Sequence, residues 1–201
     1  MDTKQHIIQT ALKLFLSKGF KETSMNEIAQ GVGISKPAIY HYFNNKDTLI
    51  EAIFDHFTNR MTQWSQHNIT QSRTNKEKIH NLFSSIATFM HVEKILLDDE
   101  VTNLPYSYDM FILLMSRMNE SYKSRISRDF NKTQEKLTEI FTELQAENTI
   151  RDDINPATLA RMMHSILEGI SFLGELIKNI PIDEESEKLY KAFWKLIQKE
   201  S

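Results

Sequence analysis

At 201 residues the chain can hold one ordinary domain or a small domain docked on a larger one, and it can bury a sizeable core. It contains no cysteine, which excludes disulfides, zinc–thiolate sites and thiol nucleophiles and fits a reducing, cytoplasmic home. The net charge of −3 gives no overall basic surplus of the kind that polyanion binding draws on, yet the first 50 residues carry six lysines against four acids, so the local balance there is positive.

Five glycines, four prolines and recurrent Leu, Ile, Lys, Glu and Gln at helical spacings read as an all-α protein, with no alternating strand pattern. The opening Met1-Asp2-Thr3-Lys4-Gln5-His6 lacks the layout of a signal peptide. The apolar stretch 158–177 is interrupted by Arg161, His164, Glu168 and Glu175, so no membrane association is expected.

Ile7, Ile8, Ala11, Leu12, Phe15 and Leu16 form one apolar face of a helix over Thr3–Lys18, which Gly19 stops in a left-handed conformation. Ser24-Met25-Asn26-Glu27 is a capping-box pattern that predicts a short second helix to about Gly31. Val32-Gly33-Ile34 reads as a tight turn. Ser35 caps a third helix to about Phe43, with Pro37 tolerated in its first turn, and Asn44-Asn45 breaks it. A fourth helix runs from Lys46 to about His67, with Leu49, Ile50, Ile53, Phe54, Phe57 and Met61 on its apolar side, and the polar run 67–75 is the expected linker.

Beyond it the pattern predicts a helix from Lys76 to about Leu97 and an acidic loop from Asp98 to Pro105. The periodic run 106–147 would span about 60 Å as one helix, so a break is expected near Asn119. Asn155-Pro156 opens a helix to about Asn179, Pro181 ends that stretch, and Glu184–Lys199 forms the last helix.

Residues 24–43, SMNEIAQGVGISKPAIYHYF, meet the steric demands of a helix-turn-helix. Ile28, Val32, Ile34 and Ile39 face the core, Ala29 is small where the helices cross, and Gly33 can take the positive φ of the turn. If the second helix of the pair enters a major groove, its first turn and outward face must be short, polar or basic. Ser35, Lys36, Pro37, Ala38, Tyr40, His41 and Tyr42 suit that demand, although Tyr40 can also be read as partly core and His41 as merely solvent-facing. The helix N-termini at Ser24 and Lys46 can offer backbone amides and one cation to phosphates.

The segment GISKPAIYHYFNNKDTLIEAIF resembles the signature of the TetR family, in which a short recognition helix ends in tyrosine and phenylalanine before an N/S-K-acid-x-L helix start; the match covers about residues 3–57. The family usually has Gly, Ala or Thr where Pro37 stands and often His where Tyr42 stands. The resemblance implies a three-helix DNA-binding domain at 1–48 and a helical effector-binding and dimerisation domain at 49–201. It also implies a repressor that binds a palindromic operator in double-stranded DNA as a homodimer and is released by a small molecule. On that reading Ser35, Lys36, Tyr40, His41, Tyr42 and Lys46 touch mostly phosphates, and Pro37 and Ala38 approach base edges.

The family dimerises through its last two long helices. Ser165, Gly169, Phe172, Leu173, Leu176 and Phe193 are the corresponding interface candidates here. Trp64, Phe83, Phe89, Met90, Phe111, Met115, Met118, Tyr122 and Met163 are the candidate lining of a pocket for a small apolar or aromatic effector, with core packing as the default reading of each.

His164 and Glu168 lie four apart on one helix face without a third ligand at matching spacing, so a hydrogen-bonded pair is expected and no metal. No nucleophile–base set, phosphate loop or dinucleotide fingerprint occurs, so neither an enzyme nor a cofactor is expected. The competing reading is a helical effector-binding or scaffold module that no longer binds DNA.

Overall fold

The capping signals place the helix ends where the sequence sets them. In the computed structural model, which describes residues 2–70, 72–86, 108–177 and 180–199, α1 is Thr3–Lys18, α2 Met25–Val32, α3 Lys36–Tyr42 and α4 Lys46–Thr70. Then follow α5 Asn75–Ser84, α6 Tyr108–Met118, α7 Glu120–Ala146, α8 Pro156–Leu176 and α9 Ile182–Ile197. The side chains of 61, 64–70, 108–111 and 175 lie outside the description.

The chain forms two compact units. Among the described residues, the first holds α1 to α3, α4 as far as residue 64 and the start of α6; the second holds the end of α4, α5, the rest of α6, and α7 to α9.

In the first unit α1 packs on α2, and α2 on α3. Ile7, Ala11, Leu12, Ile28, Ile39, Leu49, Ile53 and Phe54 are fully buried, so the apolar periodicity of α1 and α4 meets the inward residues of the helix-turn-helix in one core. Gly33 adopts φ 78° and ψ 27°, the left-handed turn conformation that a side chain would oppose. Ala29 is buried as expected, and Gly31 lies close against α1, where an added Cβ would stand 2.8 Å from Thr10 Cγ2. Gly19 does end α1, at φ 94° and ψ 161°, in an extended positive-φ conformation in place of the left-handed one expected. Val32 and Ile34, expected in the core, are only half-buried.

The second unit is built on the α7–α8 pair, with α5 and α9 packed together and each touching that pair. Ile79, Phe83, Leu137, Phe141, Leu159, Met163, Phe193 and Ile197 belong to its core. Asn119 caps α7, its side-chain oxygen accepting from the Tyr122 amide at 2.9 Å, and so divides the long periodic run where the sequence placed the break. The C-terminal residues are tied to the α7–α8 connection: the Arg151 amide donates to the Ile197 carbonyl at 2.8 Å, and Ile150 and Gln198 form an antiparallel bridge.

Several helix boundaries differ from the sequence reading. α4 continues to Thr70, which shortens the expected linker. A second capping box, Thr74 with Glu77, then starts α5 one residue early, and that helix closes at Ser84 with Ser85 as its cap. The remainder of the helix expected to reach Leu97 and the acidic loop 98–105 lie outside the described residues. α9 starts at Ile182, immediately after Pro181.

Candidate nucleic-acid interface

Each end of the helix-turn-helix is fixed by side chains that the sequence places there for local reasons. The Ser24 hydroxyl accepts from the Glu27 amide at 3.3 Å, and the Glu27 carboxylate takes the Ser24 amide at 2.8 Å and its hydroxyl at 2.9 Å. Lys18 closes on the same carboxylate at 2.5 Å. Ser24 is therefore exposed but its hydroxyl is spent on the cap, and an anion approaching the α2 N-terminus would meet the Glu27 charge. At α3 the Ser35 hydroxyl accepts from the Ala38 amide at 3.3 Å, with Pro37 in the first turn.

With Ile39 fully buried, the helical repeat turns Lys36, Pro37, Tyr40 and His41 outward, and all four are exposed. Tyr40 and Tyr42 are 40% and 42% accessible, high for large aromatic side chains, which removes the partly-core reading of Tyr40. Ala38 is half-buried on the flank of this face. The face thus carries one cation, one imidazole, one phenol and a small first turn, with the Tyr42 phenol exposed at the end of the helix, a surface able to hydrogen-bond phosphates and to bring the backbone close to base edges.

Lys46 does not join that surface. Its ammonium is turned inward, donating to the Phe20 carbonyl and lying 5.8 Å from the centroid of the Phe15 ring. The sequence reading gave it to phosphate because it opens a helix; the nearer acceptor is the carbonyl just past the end of α1. A cation that the sequence reading passed over is nearby instead: Lys4, exposed near the start of α1, stands 5.8 Å from the Phe43 ring that caps α3.

In the second unit the expected pocket residues separate. Phe83 and Met163 are fully buried in the common core, and Phe83 packs against Phe193 with ring centroids 5.9 Å apart. Met115 and Tyr122 are buried too, whereas Met118 is exposed. Phe89 and Met90 lie outside the described residues, and the side chains of Trp64 and Phe111 lie outside the description. Two concavities, along the outward face of α7 from Glu120 to Glu135 and between α1 and α4 around Gln5, His56 and Arg60, are lined largely by charged and amide side chains and by none of the expected pocket residues.

Of the interface candidates, Ser165, Phe172, Leu173 and Leu176 are exposed along one side of α8 and Gly169 is half-exposed among them; Leu176 reaches 64%. Phe193 is corrected: at 2% accessibility it belongs to the chain's own core, because the inward face of α9 is set by Tyr190, Phe193, Trp194 and Ile197. Leu113, Met162, Ile177 and Leu196 are further exposed apolar residues.

The His164–Glu168 pair is hydrogen-bonded at 3.2 Å, and the other ring nitrogen of His164 meets Gln134 Nε2 at 2.5 Å while the ring stacks on Phe130. Both ring nitrogens of His164 are thus engaged by side chains of the same chain. Among the described residues no group of three or more His, Asp or Glu could hold one.

Comparison with known proteins places this geometry. The model of the bacterial regulatory proteins, tetR family, matches residues 7–59. The HTH-type transcriptional regulator AcrR of Shigella flexneri is 41% identical over 54 residues, which is 27% of this chain and 25% of that protein. The uncharacterized HTH-type transcriptional regulator YvaF of Bacillus subtilis is 26% identical over 91% of this chain and 98% of its own length. A TetR-family regulator structure from Cytophaga hutchinsonii superposes with TM-score 0.72 over 99% of this chain and 96% of its own at 19% identity, which supports the fold.

Proposed function

We propose that the chain, whose residues 7–59 match the bacterial regulatory proteins of the tetR family, is a TetR-like one-component repressor, binding a palindromic operator as a homodimer and released by a small-molecule effector. The observation that carries the DNA-binding part is α3: Ile39 anchors it, while Lys36, Pro37, Tyr40 and His41 point away from the core. In this reading residues 1–48 are the DNA-binding domain and 49–201 the effector and dimerisation domain, in a cytoplasmic protein.

One short recognition helix reads too few bases for useful specificity, and two-fold symmetry doubles the contact. Met162, Phe172, Leu173 and Leu176 on α8 with Leu196 on α9 supply exposed apolar area for the partner copy. Effector release follows from linkage: a ligand that favours a head spacing unsuited to half-sites about 34 Å apart weakens both contacts together. Coupling of about 1–3 kcal/mol is then a five- to 150-fold loss of operator affinity. The aromatic and methionine content favours an apolar or aromatic effector.

Selecting random duplexes on the purified protein tests the reading. Enrichment of an imperfect palindrome is the expected result. Absence of any enriched sequence favours the scaffold module that no longer binds DNA, and enrichment without a dyad excludes the dimeric operator.

A further inference from the structure

We propose that Lys4, at the start of α1, is a phosphate contact of the reading head, set beside the end of α3 opposite to Lys36. The inference rests on the DNA-binding reading above and adds to it a residue that lies outside the helix-turn-helix. Lys4 is exposed, and its ammonium stands 5.8 Å from the centroid of the Phe43 ring. Phe43 caps the C-terminal end of α3 and is buried, at 4% accessibility, so the lysine is placed against a fixed point of the fold. The turn that carries it is anchored as well. Ile7 and Ile8 are buried, the His6 amide donates to the Asp2 carbonyl at 3.0 Å, and the Gln5 side-chain amide meets His56 Nδ1 on α4 at 3.1 Å.

Of the six lysines in the first 50 residues, Lys18 is held by Glu27, whereas Lys4, Lys21 and Lys36 form no ion pair among the described residues. Lys21 directly precedes Glu22 and the Ser24–Glu27 cap in sequence, so a phosphate there meets carboxylates. The first turn of α1 carries no acidic side chain; Asp2, just before it, is the nearest in sequence. Lys4 and Lys36 are therefore the cations of this unit that a polyanion can reach with the least competition.

The seven residues of α3 span about 10 Å at 1.5 Å per residue. A helix of that length whose first turn meets base edges, in a groove about 12 Å wide, has its last turn at the groove's edge, where the backbone runs. Lys36 lies in the first turn and Lys4 beside the residue that follows the last one, so the two ammonium groups can reach backbone at either end of the reading helix. An exposed cation–π contact is weak, and a lysine is a flexible point charge, so little is lost when the ammonium leaves the Phe43 face for a phosphate oxygen. Such a contact adds affinity without base preference.

The experiment compares wild type, Lys4→Met and Lys4→Arg on one duplex that the wild-type protein selects from a random pool, from about 50 to about 200 mM salt, with folding checked by circular dichroism. Each lost phosphate contact flattens the slope of log K against log salt by about 0.9, hence by about 1.8 for a symmetric dimer. Lys4→Met is expected to bind more weakly, with the wild-type advantage shrinking roughly tenfold across that salt range. Lys4→Arg keeps the charge and is expected to keep the wild-type slope, and all three proteins are expected to select the same sequence. Ethylating single backbone phosphates should reveal, in each half-site, a position that weakens the wild type and leaves Lys4→Met unaffected. An unchanged slope in Lys4→Met overturns the proposal, and a loss of affinity at that unchanged slope would make the lysine a brace for Phe43. A changed selected sequence overturns it by placing Lys4 on a base edge, and failure of Lys4→Met to fold overturns it by giving the lysine to the fold. A wild-type protein that selects no duplex fails before any substitution is made; that result removes the DNA-binding reading and the proposal with it.

Discussion

Lys18 and Glu27 meet at 2.5 Å across the corner between α1 and α2, and the same carboxylate closes the Ser24 cap. The Lys18 hydrogen bond first, and then the Ser24 amide and hydroxyl, hold the Glu27 carboxyl at about 2, well below its ordinary 4.5. A depressed folded-state value stabilises the fold above the unfolded value and loses that contribution as pH falls through the folded one. Thermal unfolding of the wild type should therefore weaken from pH 4.5 toward pH 2, and Glu27→Gln should be less stable at neutral pH with a flatter acid limb. The effect is small and salt-sensitive because both side chains are more than a third exposed. A constant gap between the two proteins across that pH range would remove the link between Glu27 and acid sensitivity.

Lys36 and Ala38 should separate affinity from sequence preference. Lys36→Ala is expected to weaken all duplexes by a similar factor and to lower the salt slope by about 0.9 per half-site, leaving the helical signal intact. Enlarging Ala38 should instead change which sequence is selected, with discrimination on the order of 1–3 kcal/mol at the affected base pair. Unaltered selection and unaltered salt slope in both variants would show that α3 is not the reading element.

Phe83 and Met163 are core residues, and truncation should show it. Phe83→Ala is expected to cost about 3–5 kcal/mol and Met163→Ala about 2–5 kcal/mol in denaturant unfolding, since each leaves a cavity among packed neighbours. Met118→Ala, at an exposed position, should stay within about 0.5 kcal/mol. Small losses at Phe83 and Met163 would return both to the lining of an open pocket.

The parts legible in the sequence are those governed by local rules. Ser24 with Glu27, Ser35, Gly33 and Asn119 fix helix ends through contacts a few residues apart, and each is where its spacing places it. Thr74 with Glu77 obeys the same rule and was passed over because it sits in a polar run that reads as linker. The inward-turned ammonium of Lys46 and the burial of Phe193 are not legible in this way. Whether a lysine faces solvent or a carbonyl 26 positions away, and which side of an amphipathic helix faces its own chain, depend on partners distant in sequence. An apolar stripe marks a buried face without saying whether the cover is the same chain or another.

Gly169 offers the sharpest test of the partner copy, because its surroundings within the chain are empty. A Cβ added there meets nothing within 4 Å, so the side chain of Gly169→Leu starts out into open space within the single chain. Replacing glycine within α8 by a better helix former should even strengthen the isolated protomer, by up to about 1 kcal/mol. Ser165, Phe172, Leu173 and Leu176 lie exposed on the same side of the helix. If a second copy packs against this face, the small residue marks where its helix comes closest, and a leucine must push it away. Overpacking of about 1–3 kcal/mol at each of two symmetry-related sites raises the dimer dissociation constant roughly a hundredfold or more. Leu176→Glu should act in the same direction by placing a charge in the apolar contact. Sedimentation equilibrium of both variants against wild type, with unfolding followed at low protein concentration, separates the two effects. A dimer untouched by Gly169→Leu, in a protein whose protomer is as stable as before, would place the partner elsewhere on the surface.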